Sequence, residues 1–84
     1  MYKVYVEKSA QKDLKKIPLD DLQRIVEEIK KLSLNTRPKG CRKLTGSKDD
    51  WRIRIGNYRV VYEIDDREKS IRVMIIRHRR NVYQ

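Results

Sequence analysis

The sequence is poor in the residues that staple, kink or cross a membrane. Its 84 residues include one cysteine, one histidine, one tryptophan, two prolines, three glycines and no phenylalanine. Cys41 alone cannot close an internal disulfide, and no CxxC or Cys/His ligand spacing accompanies it. It reads as a small packed side chain in a protein of a reducing compartment, with no metal or other cofactor expected. No apolar run approaches the ~20 residues of a membrane span. The start, Met1 to Glu7, has no apolar h-region, so no signal peptide is expected and the expected place is the cytoplasm. No repeat, linker or low-complexity tract divides the chain, which reads as one domain over residues 1–84 with a small but feasible core. Gly40 and Gly46 are isolated turn glycines, so no phosphate-binding loop or dinucleotide fingerprint is present.

Positive charge is what the sequence has in excess. It carries 22 Lys+Arg against 12 Asp+Glu, a formal net charge of +10. That excess opposes compactness and favours a polyanionic partner: nucleic acid, an anionic membrane or an acidic protein.

The apolar pattern gives the order β-α-α-β-β-β. Tyr2, Val4 and Val6 alternate with polar neighbours, as in a half-buried strand. Ser9 offers an N-cap for a short helix through Ala10, Leu14 and Ile17, stopped by Pro18. Asp20 or Asp21 can cap a second helix, whose stripe is Leu22, Ile25, Val26, Ile29 and Leu32. A basic loop without acids follows, containing Arg37, Lys39, Arg42, Lys43 and Lys48, with a short extended piece near Arg42. Three strands finish the chain, with inward stripes Trp51/Ile53/Ile55, Tyr58/Val60/Tyr62/Ile64 and Ile71/Val73/Ile75. Helices before a run of antiparallel strands give an α+β fold, with two helices on one face of an antiparallel sheet and the other face open.

Gly56-Asn57 suits a two-residue type II′ hairpin turn. That turn sets Ile55 opposite Tyr58 and Arg54 opposite Arg59, with Arg52 two residues along on the open face. Like charges so placed cost a few tenths to about 1 kcal/mol. No acid lies between Trp51 and Tyr62 to neutralise them. Such arginines could simply be a solvated face that resists aggregation. Three on one patch, without mixed signs, suit an anion site instead, because a planar guanidinium can hold two phosphate oxygens at once. Arg77, Arg79 and Arg80 bracket the single histidine. By unbroken strand parity His78 falls on the arginine face. Tyr83 is placed to stack on an unpaired base. The chemistry such a set can run is metal-free RNA cleavage, in which the 2′-OH supplied by the substrate attacks its own phosphate. The protein then positions, stabilises charge and moves protons. Arginine stays protonated, so His78 and Tyr83 are the candidates for proton transfer.

The stretch from Trp51 to Tyr62 resembles the hairpin of the RelE/ParE toxin superfamily. The ending His78-Arg79-Arg80-Asn81-Val82-Tyr83 is similar to its H-R-x-x-V-Y signature, and Lys43-Leu44-Thr45-Gly46 to its K-L-x-G. The likeness extends over essentially the whole chain. It implies a RelE-type fold and a ribosome-dependent mRNA endoribonuclease acting without metal, restrained by a cognate acidic antitoxin. Ribosome and mRNA are then the partners, and no membrane is involved. The alternative is a ParE-like toxin that inhibits DNA gyrase without cutting RNA. Carried over residue by residue, the RelE-type site is Arg52, Arg54, Arg59, Arg79 and Tyr83, with Arg77 competing for the role of Arg79. The best-known RelE sites have lysines at the places of Arg52 and Arg54, which moves the proton-acceptor role here toward His78 or Tyr83. Arg37, Lys39, Arg42, Lys43, Lys48, Arg77 and Arg80 complete the expected RNA-binding surface.

Overall fold

The computed structural model describes residues 1–81. Its elements are β1 (Lys3–Val6), α1 (Lys8–Lys15), α2 (Leu19–Lys31), β2 (Arg42–Lys43), β3 (Asp50–Ile55), β4 (Tyr58–Asp65), β5 (Ser70–His78) and a 3₁₀ turn (Arg79–Asn81). The α+β class, the element order and the short extended piece at Arg42 agree with the sequence reading. The five strands are ordered β1-β5-β4-β3-β2. The sheet is mostly antiparallel. The exception is β1, which lies parallel to β5, because α1 and α2 carry the chain across one face before the antiparallel run begins.

Both helices pack on that face. Ile17, Ile25, Ile29 and Leu32 meet Ile55, Val60, Tyr62, Ile64, Ile71, Val73 and Ile76 in one core. The helix starts differ from expectation. Neither helix has a side-chain cap: Glu7 precedes α1, and Pro18 precedes α2. Proline tolerates a helix start because its missing N–H would have no partner there. Asp20 and Asp21 instead sit in the first turn of α2, and Lys30 and Lys31 in its last, each favourable with the helix dipole. Ser9 lies within α1, and its hydroxyl donates to the carbonyl of Met74, 2.7 Å away.

The third expected stripe also changes. Between Val61 and Tyr62 of β4 the register with β5 slips: Val61 faces Ile75, whereas Tyr62 faces Val73. Met74 is the extra residue of a β-bulge, which reverses side-chain parity beyond it. The buried residues of β5 are therefore Ile71, Val73 and Ile76, and Ile75 turns to the open face.

The bulge lies where β1 ends. Val6 pairs with Val73, and the Glu7 N–H donates to the Val73 carbonyl at 2.9 Å. Past that point β5 has β4 on one side but no strand on the other, and α1 satisfies that outer edge. Ser9 takes the Met74 carbonyl, and the Asp13 carboxylate accepts the Ile76 N–H at 3.0 Å. An exposed sheet edge is thereby covered by a helix.

Candidate nucleic-acid interface

The hairpin register is the one its turn dictates. Gly56 has φ +59, whereas Asn57 has no positive φ, the pattern of a type II′ turn. Ile55 faces Tyr58, Arg54 faces Arg59, and Arg52 faces Val61. Because core side chains alternate with these, both arginine positions project to the open face.

Three cross-sheet rows describe that face. Nearest the hairpin tip, Arg54, Arg59 and Arg77 lie side by side on β3, β4 and β5. The middle row is Arg42, Arg52, Val61 and Ile75. The far row is Asp50, Glu63, Arg72 and Tyr5. Charge is thus segregated along the strands: five arginines lie in the two rows near the tip, and strand carboxylates enter only in the third, although Asp13 of α1 comes within 3.6 Å of Arg77 at the sheet edge. Arg72 of the third row is matched by Glu7 at 2.9 Å.

Gly40, Arg42, Arg52, Ile53, Arg54 and Arg59 line a cleft of about 280 Å³. Among these lining residues there is no carboxylate. Arg52 and Arg59 are half-buried and Arg54 is exposed, so the guanidinium groups sit at a surface open to a large polyanion. The arrangement can hold phosphate oxygens and stabilise added negative charge on them. Arginine cannot exchange the proton, so that task needs another group. Among the described residues no group of three His, Cys, Asp or Glu side chains is placed to hold a metal ion.

The bulge overturns the expected position of His78. Its partner across the ladder is Tyr58, on the face of the helices, and their rings meet edge to face at 5.2 Å. Its Nδ1 accepts the Arg80 N–H at 3.2 Å, inside the terminal turn. Arg77 takes the place on the open face, opposite Arg59. The signal missed in the sequence was the run Met74-Ile75-Ile76, whose adjacent apolar residues satisfy either parity.

The basic residues of the loop are placed differently with respect to the cleft. Of the five, Arg42 reaches it. Arg37 is turned elsewhere. It donates to Asp66 at 3.0 Å, and its guanidinium lies 5.0 Å from the ring centre of Trp51. Lys43 is opposite Trp51, on the other face from Arg42. Lys39 and Lys48 are exposed in the flanking loops. Arg79 donates its backbone N–H to the Asn57 carbonyl at 2.7 Å, tying the terminal turn to the hairpin tip. Arg80 is exposed beside it. Tyr83 lies outside the described residues.

The sequence family described as the ParE toxin of the type II toxin–antitoxin system matches residues 4–83. The chain belongs to the RelE/ParE toxin superfamily. Several of the proteins it resembles are RelE toxins. It is 38% identical to the RelE1 protein of Methanocaldococcus jannaschii over 76 residues, 84% of each chain. It superposes on RelE in the RelE–RelB complex of Pyrococcus horikoshii with a TM-score of 0.84 and 28% identity, covering 96% of this chain and 98% of that one. For the RelBE2 toxin–antitoxin complex of Mycobacterium tuberculosis the values are 0.82 and 28%, covering 92% and 96%. This superfamily member is a RelE-like toxin of a toxin–antitoxin system, and the arginine cleft lies on the open face of its sheet.

Proposed function

We propose that this toxin is a ribosome-dependent, metal-independent endoribonuclease whose arginine cleft holds the mRNA backbone at the scissile phosphate. The observation that carries the reading is the row Arg54–Arg59–Arg77 with Arg42 and Arg52 beside it. A face that needed only solubility would mix signs, as the far row of the same sheet does. Five guanidinium groups on two adjoining rows instead suit a chain of phosphates.

In this reading the substrate's 2′-OH attacks the adjacent phosphorus in line. Its proton passes to a base, the 5′-oxygen leaves with a proton from an acid, and a 2′,3′-cyclic phosphate remains. Arg52, Arg54 and Arg59 hold the phosphate and stabilise its added negative charge, a contribution of about 10²–10³ in rate per donor. Arg77 extends the row, and Arg79 lies at the hairpin tip. His78 faces the helices, so Tyr83 is the group we assign to proton transfer and base stacking. Lys39, Lys43, Lys48 and Arg80 add long-range attraction rather than contacts at the reacting phosphate. The basic cleft also suits a cognate acidic antitoxin, in keeping with the toxin–antitoxin complexes of P. horikoshii and M. tuberculosis that this chain resembles.

Primer extension on mRNA translated in a purified system tests the reading. Added protein should produce cuts that require ribosomes and vanish when Arg52 and Arg54 are both replaced by alanine. The match to the ParE family favours a second reading, inhibition of DNA gyrase by protein contact. Block of gyrase supercoiling with intact mRNA would establish that reading instead.

A further inference from the structure

The open face is not wholly charged. Val61 of β4 and Ile75 of β5 stand opposite each other in its middle row, both half-buried and neither part of the core. Isolated apolar side chains at a surface are ordinary. These two are adjacent, and Val61 adjoins the cleft on two sides. It faces Arg52 across the ladder to β3, and it follows Arg59 by two residues on β4. Arg52 and Arg59 both line the cleft. The next row lies about 6.8 Å further on, two residues at ~3.4 Å each. There Asp50 and Glu63 stand opposite each other. Arg72 is beside Glu63 in the ladder but pairs with Glu7 at 2.9 Å. The Glu63 carboxylate therefore has no ion pair among the described residues.

We propose that Val61 and Ile75 are the floor of a nucleobase subsite continuous with the arginine cleft, with Glu63 at its far edge taking the base's amino group. This rests on the reading of the cleft as a holder of RNA phosphates, and it adds a base contact beside the stacking assigned to Tyr83. A nucleotide is charged at one end and apolar on its ring faces. The sheet offers matching chemistry in the same order: guanidinium groups at Arg52 and Arg59, then two branched apolar side chains, then a carboxylate. The carboxylates also set the orientation. A phosphate in the far row would meet Asp50 and Glu63, so the backbone stays over the arginines and the base reaches across the floor. Unpaired bases are held in this way, by their faces and by hydrogen bonds to their exposed edges. An ionised carboxylate can only accept. It suits the amino group of cytosine, adenine or guanine, and it opposes uracil, whose edge presents two carbonyl oxygens around one N–H.

Binding of single-stranded RNA hexamers to the intact chain at low salt tests this. The reference is an abasic ribose-phosphate hexamer of equal length and charge. Hexacytidylate should bind about 5- to 10-fold more tightly than the abasic hexamer, the lower end of what one held base contributes. Hexauridylate, with the same ring size, should bind about fivefold more weakly than hexacytidylate. Glu63→Gln, whose amide also donates, should bring the two within about twofold of each other. Ile75→Ala should bring hexacytidylate within about twofold of the abasic hexamer. Unchanged abasic binding by the same variant shows that its fold and its arginines are intact. The methyl resonances of Val61 and Ile75 should move on addition of hexacytidylate and stay in place with the abasic hexamer.

Equal binding of hexacytidylate and the abasic hexamer, methyl resonances that ignore the bases, or an Ile75→Ala variant with wild-type preference each overturns the subsite. Failure to bind any hexamer overturns it too. A cytidine-over-uridine ratio that survives Glu63→Gln overturns the role of Glu63. Cleavage on programmed ribosomes is measured separately. A protein that cuts there but treats base-bearing and abasic RNA alike keeps the ribonuclease reading and loses the subsite. One that prefers the bases but cuts nothing keeps the subsite and loses the ribonuclease reading.

Discussion

Neutralising Arg54 should make this protein more stable and less active at the same time. Arg54 is exposed and stands directly opposite Arg59, with Arg77 next in the row. Replacement by glutamine keeps the side-chain stem and removes the charge. The relief of a cross-strand like-charge pair is about 0.2–1 kcal/mol. For a domain of this size that corresponds to a rise in Tm of up to about 4–8 °C. Arg54→Glu turns repulsion into attraction and should add a further step of similar size. The gain is electrostatic at an exposed site, so it should be largest at low salt. It should nearly vanish at 1 M salt, where the Debye length is about 3 Å. Cleavage should run the other way, falling about 10²–10³-fold in Arg54→Gln with the loss of one donor to the phosphate. Thermal unfolding at 20 mM and 1 M NaCl, beside primer extension, measures both. A drop in stability on neutralisation at low salt would refute the reasoning, as would a gain of equal size at both salts. A drop would mean that Arg54 serves the fold, and a salt-independent gain that its cost is not repulsion from Arg59.

Arg37→Ala should leave ribosome binding unchanged and cost about 0.5–1 kcal/mol of stability through the lost contact with Trp51, read by urea unfolding; weakened binding would show that the loop arginine reaches RNA after all. Trp51→Ala should cost less than the ~3–5 kcal/mol of a fully buried aromatic, because Trp51 is partly exposed beneath Arg37. Tyr62 is fully buried and donates to the Thr36 carbonyl at 2.8 Å. Tyr62→Phe should therefore lose about 0.5–1.5 kcal/mol in the same assay. Burial pushes the Tyr62 phenol above its ordinary range, so a pH titration by absorbance should show it as the last tyrosine to ionise. The hydrogen bond from Tyr2 and the contact with Arg37 hold Asp66 below the usual carboxylate range. A depressed folded-state value stabilises above the unfolded pKa of about 3.9. The stability advantage of wild type over Asp66→Asn should therefore be present at pH 6 and shrink as acid takes the pH below 4.

The local features of the site were legible in the sequence because local chemistry sets them. A two-residue turn at Gly56-Asn57 leaves one register for its hairpin, so the opposition of Arg54 and Arg59 needed no knowledge of the rest of the fold. The apolar stripe of α2 likewise announced its buried face, and Ile25, Ile29 and Leu32 are in the core. The strand beyond the turn was different. Ile71, Val73 and Ile75 make a regular alternation, but Ile71, Val73 and Ile76 bury as much apolar surface once a bulge is admitted at Met74. Hydrophobic pattern cannot choose between two registers that it satisfies equally. The choice belongs to groups far away in the chain: β1 ends at Val6, opposite Val73, and α1 supplies Ser9 to the Met74 carbonyl and Asp13 to the Ile76 N–H. Those hydrogen bonds satisfy an edge that would otherwise stand open, and in doing so they exchange His78 for Arg77 on the basic face. The loop shows the same division. Composition marked residues 37–48 as basic, but only packing against Trp51 and Asp66 turned Arg37 away from the cleft, and only the pairing of Arg42 with Arg52 set that residue along it. By itself the sequence determined the charge, the helical faces and the hairpin. Which arginines share one surface was decided by the tertiary structure, because parity at a sheet edge depends on the partners that happen to cover it.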